Sequence, residues 1–112
     1  MDSMTEVLRF LVHYGLHFLF PVFIAKRWGG ERWLKCLLIM WSTMLVDLDH
    51  LLANPMFDPC RCSIGYHPLH STWAIAVYVL LLLFPKTKWW GVGLVLHMLT
   101  DAQDCLWIQN NC

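Results

Sequence analysis

The 112-residue sequence has few charged residues and no excess of either sign. Only 14% of its residues are Asp, Glu, Lys or Arg, and eight basic residues balance eight acidic ones. A zero net charge argues against nucleic-acid binding, which needs a basic surface, and no acidic or basic tail is present. Internal repeats and low-complexity tracts are also absent from the sequence. The first apolar segment is long and lacks a small-residue cleavage site, so we expect no cleavable signal peptide.

Apolar residues are abundant instead. Hydrophobic residues make up 58% of the chain, its mean hydropathy is +0.50, and it has seven Trp, six Phe and six Met. A helix needs about 20 residues to cross a bilayer, and four long apolar runs cannot all be hidden in so small a bundle. The sequence therefore predicts an all-α, integral membrane four-helix bundle. It forms a single domain over residues 1–112, with spans at approximately 5–25, 32–53, 68–84 and 90–108.

The basic residues predict how these spans are oriented. Six of the eight lie in the first and third connections, as Lys26, Arg27, Arg32, Lys35, Lys86 and Lys88. Cytoplasmic loops of membrane proteins carry an excess of Lys and Arg. We therefore expect a multi-pass protein of the bacterial inner membrane with both termini, and the long loop over residues 54–66, in the periplasm.

Ionisable residues of all four predicted spans fall near this periplasmic level. The first span has His13 and His17 on one helical face, and the others contribute Asp47, Asp49, His50, His67, His70, His97, Asp101 and Asp104. A charged side chain within a bilayer is costly, so it usually has a partner or a function there. Four helices that each supply such groups at one depth indicate a shared site.

Imidazole and carboxylate groups in such numbers indicate a metal site. We predict as ligands His13, His17, Asp47, Asp49, His50, His67, His70, His97 and Asp101. These are too many for one tetrahedral ion, so two ions bridged by Asp101 are expected, most readily Zn²⁺, with Mn²⁺ or Fe²⁺ as alternatives. Asp49 either reaches an ion, if the helix unwinds near residue 54, or holds a ligating histidine. The same groups also suit a proton path.

Three of these blocks resemble segments of a known bacterial family. Val46-Asp-Leu-Asp-His50, Tyr66-His-Pro-Leu-His-Ser71 and His97-Met-Leu-Thr-Asp101 are similar to its Pro-Asp-x-Asp-His, His-Arg-Gly-x-Thr-His-Ser and His-x-x-x-Asp segments. The family comprises inner-membrane proteins classed as metal-dependent hydrolases and also described as LexA-binding. The whole chain is similar, too, to short four-span bacterial membrane proteins of unknown function. The resemblance implies a metal-dependent hydrolase, with Asp47, Asp49, His50, His67, His70, His97 and Asp101 in its site. Val46 replaces the family's Pro, and the gap between His67 and His70 is shorter.

The favoured function is a membrane-embedded, dinuclear hydrolase acting on an amphiphile, such as a phosphoester or lipid headgroup, at the outer leaflet. Zinc activates its bound water near neutral pH, and paired metals suit displacement at phosphorus. Asp104 is the predicted general base, or Asp49 where it is not a ligand. The alternatives are a di-iron lipid desaturase or hydroxylase, a haem-binding bundle using His13 or His17 with His97, and a metal or proton transporter. A purely structural subunit would leave the polar residues unexplained.

Two further expectations concern cysteines and self-association. Cys60, Cys62, Cys105 and Cys112 lie on the predicted periplasmic side, which favours one or two disulfides between the long loop and the C-terminal segment. A Cys60-x-Cys62 metal site is less favoured, because zinc pairs usually have a longer spacing. The many tryptophans are compatible with a homodimer, for which Gly91-x-Gly93 is the one small-residue seam.

Overall fold

A computed structural model of the protein describes residues 2–54 and 58–112, and these residues are all-helical, as predicted. Helix α1 is Ser3–Trp28, α2 is Trp33–Ser42, α3 is Thr72–Leu81 and α4 is Lys88–Asn111. A 3₁₀ segment, Thr43–Leu52, continues α2, and 3₁₀ turns at Gly30–Arg32 and Pro68–His70 precede α2 and α3. The predicted loop over residues 54–66 includes residues 55–57, which lie outside the described part.

Helix α1 contains a π turn that its sequence explains. The helix starts at Asp2, whose carboxylate accepts a hydrogen bond from the Thr5 amide at 2.8 Å, and this contact lowers the pKa of Asp2. Gly15–Leu19 then forms a π turn. Pro21 has no amide hydrogen to donate to the carbonyl of His17, and such gaps in the hydrogen-bond ladder favour a local widening of the helix.

The second predicted span, over residues 32–53, is α-helical only in its first half. Ser42 donates its hydroxyl hydrogen to the Ile39 carbonyl, and Thr43 does the same to Met40. Such side-chain bonds compete with the α-helical ladder. From Thr43 onward the chain has about three residues per turn.

The third predicted span is also shorter than expected. Its α-helix covers Thr72–Leu81 rather than residues 68–84, because Ser71 caps it and accepts from the Ala74 amide. Such a helix is about 15 Å long, half the thickness of the hydrocarbon core of a bilayer. Within the described residues, α1 is the one helix that is both long and apolar enough to cross a membrane by itself, with 26 residues.

The two glycines of the Gly91-x-Gly93 seam pack against other segments of the same chain. Both are buried, Gly91 against Leu82 of the α3–α4 connection and Gly93 against α2. A Cβ atom on Gly93 would lie 2.8 Å from Thr43 Oγ1 and 2.9 Å from the Met40 Cα. The seam therefore brings α4 close to α2 in one chain, and it does not provide the surface expected for a homodimer.

Substituting Gly93 with alanine is expected to destabilise the fold by about 1–3 kcal/mol, because the methyl group meets the backbone Cα of Met40 and the side chain of Thr43, both within 2.9 Å. Thermal unfolding in detergent measures the loss. Gly15→Ala is the matched control, since a Cβ there meets nothing within 4 Å and alanine is the better helix residue. Equal stability of the two variants would contradict the close contact.

Two disulfides join the loop before α3 to the end of α4, and the prediction of such bridges is confirmed. Cys60 pairs with Cys112, and Cys62 pairs with Cys105. Cys36, in α2, is buried and free. The bridges fix the chain segment that leads to His67 against α4.

Candidate metal centre

All nine predicted metal ligands lie in three adjacent groups. In each group every residue offers a nitrogen or oxygen atom within 4.8 Å of the others. The groups are Asp47, His70, His97 and Asp101; His13, His17 and Asp101; and Asp49, His50 and His67. The structure thus brings together residues from α1, the 3₁₀ segment, the turn before α3, and α4.

The first group has the dimensions of a tetrahedral site. His70 Nε2 lies 2.9 Å from Asp101 Oδ2, 3.4 Å from Asp47 Oδ1 and 3.3 Å from His97 Nε2. His97 Nε2 lies 3.0 Å from Asp47 Oδ1 and 3.1 Å from Asp101 Oδ2. Bonds of about 2.0–2.1 Å to one tetrahedral zinc ion would separate neighbouring ligand atoms by about 3.3 Å. These four residues therefore fit a single zinc ion.

The second group uses the other oxygen of Asp101. Asp101 Oδ1 lies 3.4 Å from His17 Nε2 and 3.8 Å from His13 Nε2. The two imidazole rings, one α-helical turn apart in α1, have centroids 4.5 Å from each other. His17 and Asp101 are both buried, and His17 Nε2 has no hydrogen-bond partner among the described residues. Asp101 thus has one oxygen in each group, as a bridging ligand requires.

Asp49 positions a histidine of the first group. Its Oδ2 accepts hydrogen bonds from His70 Nδ1 at 2.8 Å and from the Leu69 amide at 3.0 Å. The hydrogen bond fixes the proton of His70 on Nδ1, so that Nε2 faces the group as an acceptor. Asp49 was predicted either to bind an ion or to hold a ligating histidine, and the structure shows the hydrogen bond that the second role requires. The 3₁₀ geometry of Thr43–Leu52 directs it there.

The third group stands beside the first. Asp49 Oδ1 lies 3.4 Å from His50 Nδ1, and the rings of His50 and His67 have centroids 3.9 Å apart. Burial, together with the neighbouring His50, lowers the pKa of His67. A lowered pKa keeps this imidazole neutral near pH 7, which is the form that binds metal.

Asp104, predicted as a general base, is held by an arginine that the sequence analysis did not single out. Arg9 Nε and a terminal nitrogen donate to the two oxygens of Asp104 at 2.7 and 2.8 Å, and Arg9 also donates to the Pro59 carbonyl. Arg9 lies on α1 one turn before His13, and a charged residue in that apolar segment could have drawn attention to it. The catalytic roles of Asp49 and Asp104 stay predictions.

A cavity of about 870 Å³ borders all three groups. Its ionisable lining includes His13, Asp47, His50, His67 and Asp101, together with Arg9, Arg61, Asp58, Glu6 and Asp104. Its apolar lining includes Phe10, Tyr14, Trp41, Met44, Leu45 and Leu48. The lining of this cavity therefore combines ionisable and apolar side chains.

No curated protein and no solved structure matches this chain. One family model does, and it carries no link to the metal-dependent hydrolases that the sequence blocks resemble. Its match covers residues 7–108, from α1 to the last turns of α4, and includes every residue of the three groups. The chain therefore belongs to the family of unknown function DUF6122.

Proposed function

We propose that the protein is a membrane-embedded, dinuclear metal-dependent hydrolase acting on an amphiphile with a phosphoester or lipid headgroup. One observation carries this proposal: Asp101 divides its two oxygens between two histidine groups at the wall of a cavity lined by both ionisable and apolar side chains. A pair of zinc ions held there would activate water and stabilise the developing charge on a phosphoryl group.

The distribution of polarity supports a membrane location. Ten buried hydrophobic residues form the core of the described part, whereas thirty large hydrophobic side chains are exposed. Eight polar or charged residues are buried, among them His17, His70, His97 and Asp101. A protein with polar groups inside and apolar groups outside suits a lipid environment, because a soluble monomer rarely exposes large apolar patches. In the most apolar 18-residue window of α1, only 11% of the window is buried within the protein.

The lengths of three segments are also compatible with crossing a bilayer. Helix α4 has 24 residues, and α2 with its 3₁₀ continuation extends for about 35 Å, against a hydrocarbon thickness of about 30 Å. Helix α3 would cross only part of the hydrocarbon core of the bilayer. The ion pair of Arg9 with Asp104 joins the N-terminal part of α1 to the C-terminal part of α4, and the bridge between Cys60 and Cys112 joins the C-terminus to the loop before α3. These contacts support a topology with both termini on one side. Disulfides form in oxidising compartments, which favours the periplasm for that end.

The chain's own residues would supply positioning and charge. Asp49 holds His70, and Asp101 aligns the two histidine groups. The Asp104 carboxylate orients the Arg9 guanidinium, which lines the cavity and would face an anionic headgroup. The apolar cavity wall would hold the hydrocarbon part of the substrate and exclude water from the polar part.

The test is hydrolysis by the zinc-loaded, detergent-purified protein in mixed micelles of phosphatidylglycerol, followed by phosphorus NMR. We expect headgroup release that falls at least about 100-fold in His97→Ala, since a ligand is lost. Glu31→Gln, which changes an exposed carboxylate outside the cavity and outside the three groups, is expected to keep the rate.

Absence of release from any of a series of lipid phosphoesters by a metal-loaded protein would contradict the hydrolase. Bound iron with oxygen consumption would instead support the di-iron oxidase, whose shared carboxylate and helical histidines this site also resembles. Metal flux across vesicles would support the transporter.

A further inference from the structure

The group formed by Asp49, His50 and His67 is separate from the four-residue group and from the pair of histidines on α1. Its three residues offer ligand atoms within 4.8 Å of one another, and two of the residues are buried. His67 is 2% exposed and Asp49 is 4% exposed. Their side chains come from the 3₁₀ segment and from the residue that precedes the turn before α3.

One atom of this group needs a partner. Asp49 Oδ2 accepts two hydrogen bonds, but Asp49 Oδ1 is buried and has no hydrogen-bond partner among the described residues. A buried carboxylate oxygen without a donor is costly, because its desolvation is not compensated. His50 Nδ1, at 3.4 Å, donates instead to the Asp47 carbonyl at 3.0 Å. A cation between Asp49 Oδ1 and the two imidazoles would satisfy the oxygen.

We propose that Asp49, His50 and His67 form a third metal position, for a divalent ion of the zinc type. The proposal deepens the proposed function and rests on it, because it adds an ion to the same site. Asp49 would then have the same kind of role as Asp101, with one oxygen on the new ion and the other on His70 of the first group.

The third group lines the same cavity as the other two groups, which indicates how an ion bound there would act. His50 and His67 line the same cavity as His13, Asp47 and Asp101. An ion at the third position would therefore face the ligand that the pair faces. Three cations at the wall of one cavity would select a substrate with several anionic oxygens, such as a phosphomonoester or phosphodiester headgroup.

The experiment counts zinc by mass spectrometry in the full-length protein, purified in detergent, loaded with zinc chloride and desalted. We expect about three ions per chain in the wild type, about two in His67→Ala and about three in Tyr66→Phe, a matched change at the neighbouring residue. His13→Ala should lose an ion of the pair and keep the third.

About two ions in both the wild type and His67→Ala would overturn the third position and leave the pair intact. No zinc in a folded wild type would overturn the proposed function and the third position together. Because His67→Ala could disturb the buried turn, cadmium-113 NMR of the wild type gives a second measurement. Three cadmium resonances are expected, and two would contradict the proposal.

Discussion

Replacing Asp101 with alanine is expected to remove about two zinc ions per chain relative to the wild type. Its oxygens lie 2.9–3.1 Å from the Nε2 atoms of His70 and His97 on one side and 3.4 Å from His17 Nε2 on the other. No second carboxylate faces the α1 histidines within their group, so that ion would keep only two neutral ligands. Mass-spectrometric metal counting on the detergent-purified variant measures the loss, and hydrolytic activity should disappear with it.

Two further variants test whether the loss of ions is due to the charge of Asp101. One removes that charge and keeps the size of the side chain, and the other removes a different carboxylate of the cavity. Asp101→Asn keeps the shape and is expected to lose the ions as well, because its amide nitrogen is not a ligand. Asp58→Ala removes a carboxylate from the same cavity and should retain every ion. Retention of both ions by folded Asp101→Ala would show that the carboxylate does not bridge.

Removing the disulfide between Cys62 and Cys105, as the double serine variant, is expected to destabilise the protein by about 2–4 kcal/mol. The bridge closes a long stretch of chain and so limits the freedom of the unfolded state. Thermal unfolding in detergent should show a fall in Tm of about 10 °C or more. Zinc should be lost first from the group that contains His67, since that residue follows the released loop.

The matched control is Cys36→Ala, which changes the buried free cysteine and leaves both bridges intact. It should lower Tm much less than the double serine variant. Alkylation of the unreduced wild type, followed by mass measurement, should label Cys36 alone. Four further labelled cysteines would contradict the bridges, and an unchanged Tm in the double variant would contradict their structural role.

The helical character and the grouping of ligands were predictable because both follow from local spacing. His13 and His17, and likewise His97 and Asp101, are four residues apart, and that separation places two side chains on one face of a helix. Their positions at corresponding span ends predicted that the four segments would meet. The structure brings these residues together, whereas the metal and the reaction remain proposals.

The contacts that organise the ligands were harder to predict. The hydrogen bond from His70 to Asp49 depends on the 3₁₀ segment, and hydrophobic periodicity over ten residues does not separate it from an α-helix. Arg9 and Asp104 are 95 residues apart, so no local pattern relates them. The cap at Ser71 was available in the sequence, since Ser is a preferred first residue before a helix.

The two disulfides also restrict the access of a molecule to the cavity. Cys105 lies in α4 and Cys112 directly follows the end of that helix, seven residues further along, so the loop over residues 60–62 is joined to the C-terminal part of the chain at two points. A loop attached in this way cannot swing outward as a flap. Exposed Phe10 of α1 and exposed Leu45 and Leu48 of the Thr43–Leu52 segment also line the cavity. In the proposed membrane location, a molecule dissolved in the bilayer would meet these apolar side chains without first passing through water.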